Sequence, residues 1–217
     1  MPGFVSMGFV CLLGVPPPPQ AVTAPTVDVR VDQHGGLTRQ QLDIAIDQLR
    51  QIWRPAGVTV TSGLFGTELR PESAIVSLRV VGGQQPSIGG RPVLAWVARA
   101  EGRGRVPTLF VSLTATREFL LSGSYRGRPL NQRPRAILDR LLPQAVGRVA
   151  AHELGHYLLG DRPHDRTGLM RPVYTPEDLV AASLAPFEVP PDHHVALRRE
   201  ILRLSAGFSP ERPSWSR

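Results

Sequence analysis

The sequence contains no lysine and a single cysteine among its 217 residues. Because Cys11 has no second cysteine to pair with, an intramolecular disulfide is excluded. The 25 basic residues are all arginines, set against 18 acidic residues, and the formal net charge is +7. These arginines are scattered along the chain, and aromatic side chains, on which nucleic-acid bases stack, do not alternate with them. We therefore attribute the basic charge to compositional bias and expect no nucleic-acid partner.

The sequence also lacks a hydrophobic run long enough to span a membrane, which requires about twenty residues. The apolar run at residues 4–15 is shorter, and its length is typical of a signal peptide. Small residues ending at Ala24 suit a cleavage site. We expect residues 1–24 to be a signal peptide or a disordered N-terminal segment. With a signal peptide, we expect a secreted or periplasmic bacterial protein without stable membrane insertion. If the run is not a signal, we expect a cytoplasmic protein.

The remaining chain has the composition of a folded domain, with 41% hydrophobic and 20% charged residues. Its length favours one domain, which we place at residues 25–207, with a tail at 208–217. Hydrophobic periodicity and turn residues predict a strand, a helix and four further strands, followed by three helices. The predicted strands lie at 26–32, from 58, from 73, and at 92–102 and 106–114; the helices lie at 38–57, from about 143 to 160, from 175, and at 191–204.

One short segment carries three of the six histidines, at His152, His156 and His164. On a helix, His152 and His156 project from one face, and Glu153 is rotated by about 100° beside them. A zinc site needs a third protein ligand, and a catalytic site leaves a fourth position open. Gly160 can turn the chain back so that His164 completes such a site. The pattern favours one zinc ion over the alternative of ordinary buried helix histidines.

The stretch HELGHYLLGDRPH followed by GLMRP resembles the metzincin clan of zinc-dependent endopeptidases, in particular the matrixin-like type. The resemblance implies an α+β, zincin-like fold with a twisted, mixed five-stranded sheet whose edge strand is antiparallel. It also implies a backing helix, an active-site helix and a small C-terminal helical subdomain, with an upper part at 25–160 and a lower part at 161–207.

The same resemblance assigns roles to individual residues. His152, His156 and His164 would bind zinc, Glu153 would be the general base, and Met170 would be the methionine-turn residue. Tyr174 would either hydrogen-bond the tetrahedral intermediate or pack under the site. The edge strand that aligns a peptide or protein substrate would consist of Leu94, Ala95, Trp96, Val97 and Ala98.

The spacing of the third ligand differs from the pattern of the clan. Gly160 and His164 follow His156 by four and eight residues, whereas the clan has three and six. Asp161 and Asp165 are therefore alternative oxygen ligands. Glu177 is a further alternative, since the gluzincins use a downstream glutamate.

Two functions are compatible with this pattern. The first is a zinc-dependent endopeptidase in which Glu153 activates water, and the second is a non-catalytic, zinc-stabilised binding protein on a protease-like scaffold. Outside the motif, we interpret Arg148 as a solvated side chain at the cleft entrance and His193 and His194 as surface residues. No oligomeric state is predicted.

Overall fold

The structure is a computed structural model that describes residues 24–64, 73–83, 86–88, 91–99, 106–160 and 164–207. These residues form an α+β fold built on one five-stranded sheet and two small hairpins. In chain order the elements are β1 (Thr26–His34), α1 (Arg39–Trp53), β2 (Thr59–Leu64), β3 (Ser73–Val81), β4 (Ser87–Ile88), β5 (Arg91–Pro92), β6 (Ala95–Ala98), β7 (Thr108–Ser112), α2 (Leu113–Leu121), β8 (Ser124–Tyr125), β9 (Arg128–Pro129), α3 (Arg135–Leu159), α4 (Pro176–Val180) and α5 (Pro191–Gly207).

The sheet has the strand order β2-β1-β3-β7-β6. The strands β2, β1, β3 and β7 are mutually parallel, and β6 runs antiparallel to β7 at the edge. The predicted mixed five-stranded sheet is therefore confirmed, and its antiparallel edge strand occupies Ala95–Ala98. Within the ranges described, β6 is paired with β7 alone, so the backbone on its outer side is not part of a ladder.

Helices α1 and α3 pack against each other and close the core beside the sheet. Thr38 and Gln41 form a capping box that starts α1, and the buried stripe of α1 runs from Leu42 to Trp53. The contact with α3 is close at Gly147, where an added Cβ would lie 2.2 Å from the carbonyl oxygen of Ala45. Only glycine permits this approach of the two helices.

Helix α3 is longer than the sequence predicts, because it passes through Pro143 instead of beginning there. Proline removes one backbone hydrogen bond inside a helix and frees the carbonyl four residues earlier. That carbonyl belongs to Asp139, and it accepts a hydrogen bond from Nε2 of Gln41 on α1 at 3.1 Å. The packing of α1 therefore compensates for the proline, and α3 forms one 25-residue helix.

Helix α2 was not predicted, since the fifth predicted strand extended to Thr114. The strand ends at Ser112, whose hydroxyl accepts a hydrogen bond from the backbone N–H of Ala115 at 2.9 Å. This serine is an N-cap, and it turns the chain from strand into helix without a loop. The short apolar run 109–113 gave no sign of that change.

The N-terminal segment with Cys11, including the predicted signal peptide, and the predicted tail at 208–217 lie outside the described residues, apart from Ala24. Among the helices that the structure does describe, none has the length and apolar character needed to cross a bilayer.

Candidate metal centre

Three imidazole rings converge where α3 ends and the chain turns back. His152 and His156 lie in the last two turns of α3, and His164 lies on the chain that follows. Their candidate ligand nitrogens all lie within 4.8 Å of one another. The His156 ring stands edge-on to both of the other rings, with interplanar angles of 86° to His152 and 87° to His164. The three side chains therefore surround one point in space.

The ring of His152 is fixed by the backbone of a following turn. Its Nδ1 lies 2.7 Å from the carbonyl oxygen of Leu169, and because a carbonyl can only accept, Nδ1 must carry the proton. This tautomer leaves a lone pair on Nε2, which lies 3.0 Å from Nε2 of His156. A metal-binding histidine commonly donates the N–H of its other ring nitrogen to a carbonyl oxygen, as Nδ1 of His152 does here.

Burial keeps this histidine neutral. Desolvation, opposed by the hydrogen bond to Leu169 and reinforced by the neighbouring histidines, lowers the pKa of His152 to about 4. An unprotonated imidazole is the form that binds metal. The ring is therefore ready for a cation at neutral pH.

The donor set fits zinc. A tetrahedral ion with Zn–N bonds of about 2.0–2.1 Å holds its nitrogen ligands roughly 3.3 Å apart. The 3.0 Å separation of the two Nε2 atoms and the 4.8 Å limit on the whole cluster bracket that value. Three imidazoles suit zinc and related transition metals, whereas calcium and magnesium prefer oxygen ligands.

Glu153 follows the first histidine on α3 and is partly buried. Burial raises the pKa of its carboxyl group to about 7. A cation nearby would favour the carboxylate and bring this pKa down again. Burial and a bound cation therefore act in opposite directions on the pKa of this carboxyl group.

The turn after His164 forms a floor beneath the end of α3. Leu169 and Met170 are buried, and the Met170 side chain packs directly against Gly155 between the two helix histidines. The backbone N–H of Leu169 donates to the carbonyl of Glu188 at 2.8 Å. Gly168 has a φ of +75°, and a Cβ there would lie 2.4 Å from the same oxygen, so the turn requires glycine.

Tyr174 lies under the centre and contacts it through the same carbonyl as His152. Its hydroxyl donates to the carbonyl oxygen of Leu169, and its ring meets the His152 ring edge-on at 5.7 Å. The ring also stacks on Phe187 at 4.9 Å and lies under the guanidinium of Arg171. In this arrangement the hydroxyl is engaged by the backbone and the ring is part of the packing.

Two of the three alternative oxygen ligands, Asp165 and Glu177, have other partners. The carboxylate of Asp165 pairs with Nε2 of His193 at 2.8 Å. The carboxylate of Glu177 accepts hydrogen bonds from the backbone N–H and the hydroxyl of Ser124. Asp161 lies outside the described residues. Among the residues that are described, the cluster able to hold a metal consists of His152, His156 and His164.

The predicted edge residues lie on and beside β6, which packs against α3. Ala95 is buried, Leu94 and Val97 are partly buried against the core, and Ala98 is exposed. Trp96 stacks on Phe110 of β7 with ring centroids 4.9 Å apart.

The interpretation of Arg148 as a solvated residue was wrong. Arg148 is 1% exposed, and its guanidinium donates to the side-chain oxygen of Gln48 and to the carbonyls of Asp178 and Ala181. Its Cζ lies 5.0 Å from the centroid of the Phe187 ring. Burial lowers the pKa of Arg148 to about 10. The neighbours of Arg148 within 145–151 are all apolar or glycine, so every face of the helix around it is apolar. This pattern indicated that Arg148 is buried.

The interpretation of His193 as a surface residue was also wrong. His193 is 9% exposed, and it belongs to the buried stripe of α5 with Leu197 and Ile201. Spacing of four residues places these three side chains on one helix face, so the sequence contained this information. His194 is partly exposed, and its Nε2 contacts the carbonyl of Val189.

No protein-family model and no curated protein matches the sequence. Among solved structures, the fold is similar to an archaemetzincin from Methanopyrus kandleri, with 16% sequence identity and a TM-score of 0.48. The match covers 83% of this chain and 98% of the archaemetzincin chain.

Proposed function

We propose that this protein is a zinc-dependent endopeptidase that hydrolyses peptide bonds with one catalytic zinc ion. The observation that carries the proposal is the convergence of His152, His156 and His164, whose ligand nitrogens lie within 4.8 Å of one another. The resemblance of the same segment to the matrixin-like metzincins supports the assignment. On that resemblance Met170 is the methionine-turn residue beneath the ion.

A bound zinc ion supplies Lewis acidity, which makes water a nucleophile near neutral pH and polarises a peptide carbonyl. Glu153 is the general base in this proposal. Its carboxylate accepts the proton of the attacking water and passes it to the leaving amine. Burial raises the pKa of Glu153 and a bound cation would lower it, so the zinc-bound protein would hold the carboxylate form that a general base requires.

The substrate is a peptide or protein segment in extended conformation. The outer edge of β6 offers backbone donors and acceptors to such a segment, and residues 94–98 would align it by β-augmentation. This pairing selects for an extended backbone and reads little of the side-chain sequence. A secreted or periplasmic location remains part of the proposal.

Metal analysis and a peptide-library assay on three proteins test this function. We expect the wild type to bind close to one zinc ion per chain and to cleave peptides. Glu153→Gln should keep the zinc and lose at least about a hundredfold in activity, the usual scale for a general base. Glu118→Gln changes an exposed glutamate on α2 and is the matched control, with wild-type activity expected.

The outcomes separate the two functions considered from the sequence. Full activity in Glu153→Gln would remove Glu153 from the mechanism and contradict the proposal. Zinc binding and zinc-dependent thermal stability without cleavage of any peptide would instead identify a zinc-stabilised binding protein.

A further inference from the structure

Helix α5 contacts the segment of the metal centre that carries the third histidine. The contact is a hydrogen-bonded pair between Nε2 of His193 and the carboxylate of Asp165, 2.8 Å apart. The side chains of this pair are 11% and 29% exposed, respectively. Asp165 is the residue directly after His164, so the pair connects the C-terminal helix to the backbone beside that histidine.

Asp165 is held at a second point by its own backbone. Its N–H donates to the carbonyl of Met170 at 2.9 Å, which closes the turn from 165 to 170. The other end of this turn is fixed where Nδ1 of His152 donates to the carbonyl of Leu169. Asp165 is therefore fixed by two hydrogen bonds, one from its side chain to α5 and one from its backbone to Met170. Together they hold both the backbone and the side chain of the residue next to His164.

The pair is not what packing alone would select. His193 shares a buried stripe with Leu197 and Ile201, where a leucine would fill the space without polar atoms. Nδ1 of His193 is buried and has no hydrogen-bond partner among the described residues. A buried polar atom without a partner is destabilising. The hydrogen bond to Asp165 is therefore the contact that accounts for a polar side chain at this buried position.

We propose that His193 and Asp165 form a positioning pair that holds the His164 imidazole towards the zinc ion. This inference depends on the proposed zinc site, and it assigns His193 a role that the motif does not contain. His164 lies on irregular backbone beyond the helix, in contrast to His152 and His156, which α3 holds rigidly. The third ligand consequently needs a tether of its own, and α5 provides it.

The experiment measures zinc dissociation constants by competition with a chromophoric chelator. His193→Leu keeps the buried volume and removes the hydrogen bond, and we expect it to weaken zinc binding about 10–100-fold, the usual effect of losing a group that orients a ligand. His193→Gln presents an N–H at a similar reach, and we expect it to bind zinc within a few-fold of the wild type. His194→Leu and His194→Gln are the matched controls, and neither should change the affinity.

A cobalt-substituted protein gives a second readout that a loss of global stability would not produce. The visible absorption of cobalt reports ligand geometry, so its bands should shift in His193→Leu and stay unchanged in His193→Gln. Asp165→Ala should reproduce the effect of His193→Leu. The double variant should lose little more affinity than either single variant, because the two residues act through one contact.

Specific zinc-binding results would overturn the inference. Wild-type zinc affinity in His193→Leu, or equal loss in His193→Leu and His193→Gln, would show that the hydrogen bond does not position His164. If His193→Leu does not fold, a wild-type affinity in Asp165→Ala has the same meaning. A wild-type protein that binds no zinc would contradict both this inference and the proposed function. A protein that binds zinc but cleaves no peptide would contradict the function alone.

Discussion

The sulfur atom of Met170 occupies the space in which a side chain at Gly155 would lie. An added Cβ at position 155 would be 2.2 Å from Met170 Sδ, far inside the contact distance of two such atoms. Glycine at this position of α3 therefore lets the buried methionine reach the helix between His152 and His156. The relationship connects a backbone requirement of the helix to the floor of the metal centre.

Gly155→Ala should displace Met170 with a modest net change in stability. Alanine favours the helix by about 1 kcal/mol, and overpacking of a buried side chain costs about 1–3 kcal/mol. We expect the free energy of unfolding to fall by about 0–2 kcal/mol and the zinc affinity to fall with it, measured by chemical denaturation and chelator competition. The additional substitution Met170→Ala should lower the free energy of unfolding less in the Gly155→Ala protein than in the wild type.

Gly147→Ala is the matched comparison on the same helix. Its Cβ would meet the carbonyl oxygen of Ala45, which cannot move without shifting α1, whereas a methionine side chain can rotate. We expect Gly147→Ala to cost clearly more stability than Gly155→Ala. Equal losses for the two variants, or additive effects of the Gly155 and Met170 substitutions, would contradict this description of the packing.

Tyr174→Phe should remove one hydrogen bond and keep the stacked ring. The hydroxyl donates to the carbonyl of Leu169, which keeps its bond from His152 after the substitution. We expect the free energy of unfolding to fall by about 0.5–1.5 kcal/mol. Zinc affinity should change less than in His193→Leu. If kcat falls far more than metal affinity, the hydroxyl also contacts the reacting substrate, which is one of the two roles considered for Tyr174 from the sequence.

Arg148→Met should destabilise the protein without weakening the metal centre. The substitution leaves the carbonyls of Asp178 and Ala181 without the guanidinium that now donates to them. We expect a loss of about 1–3 kcal/mol in the free energy of unfolding. Arg140→Met, on an exposed position of the same helix, should change it by less than about 0.5 kcal/mol. Comparable effects of the two variants would contradict the structural role of Arg148.

Glu177 should contribute stability that acid removes. The backbone N–H of Ser124 is the main cause that lowers the pKa of Glu177 below its ordinary value of 4.5, with the Ser124 hydroxyl contributing as well. Because the folded protein holds the carboxylate, this stability is present above pH 4.5 and is lost as the pH falls through the lowered pKa. We expect the melting temperature of Glu177→Gln to fall less steeply between pH 5 and pH 3 than that of the wild type.

Ser124→Ala separates the two contacts of Glu177. This variant removes the hydroxyl and keeps the backbone N–H, so most of the acid dependence should remain. A pH profile of Glu177→Gln that coincides with the wild-type profile would show that this carboxylate makes no contribution.

The sequence predicted secondary structure correctly where that structure depends on a regular local pattern of residues. Alternation in β1 and the four-residue spacing of His152 and His156 predicted a strand and one face of a helix, because both depend on local geometry. The start of α3 was missed because it depends on a contact between distant residues, and α2 was missed because its local N-cap, Ser112, lies in an apolar run that also suits a strand. The hydrogen bond from Gln41 to Asp139, which lets α3 continue through Pro143, joins residues 98 positions apart.

The same distinction applies to the metal centre. The positions of His152 and His156 follow from helix periodicity, whereas the tautomer of His152 depends on Leu169, seventeen residues away in the chain. The burial of His193 could have been inferred from its spacing to Leu197, but its partner Asp165 could not. A contact between segments fixes the orientation of the His152 imidazole, and another pairs His193 with Asp165; no local pattern encodes either contact.

The two helix imidazoles lie at the carboxyl end of a 25-residue helix. The aligned peptide dipoles of a helix leave a partial charge of roughly −0.5 at this end. Electrostatic potential therefore attracts a cation to the end of α3 before any lone pair binds it. An anionic ligand such as phosphate meets an opposing potential there, and the direction in which α3 runs thus contributes to the selection of positive ions.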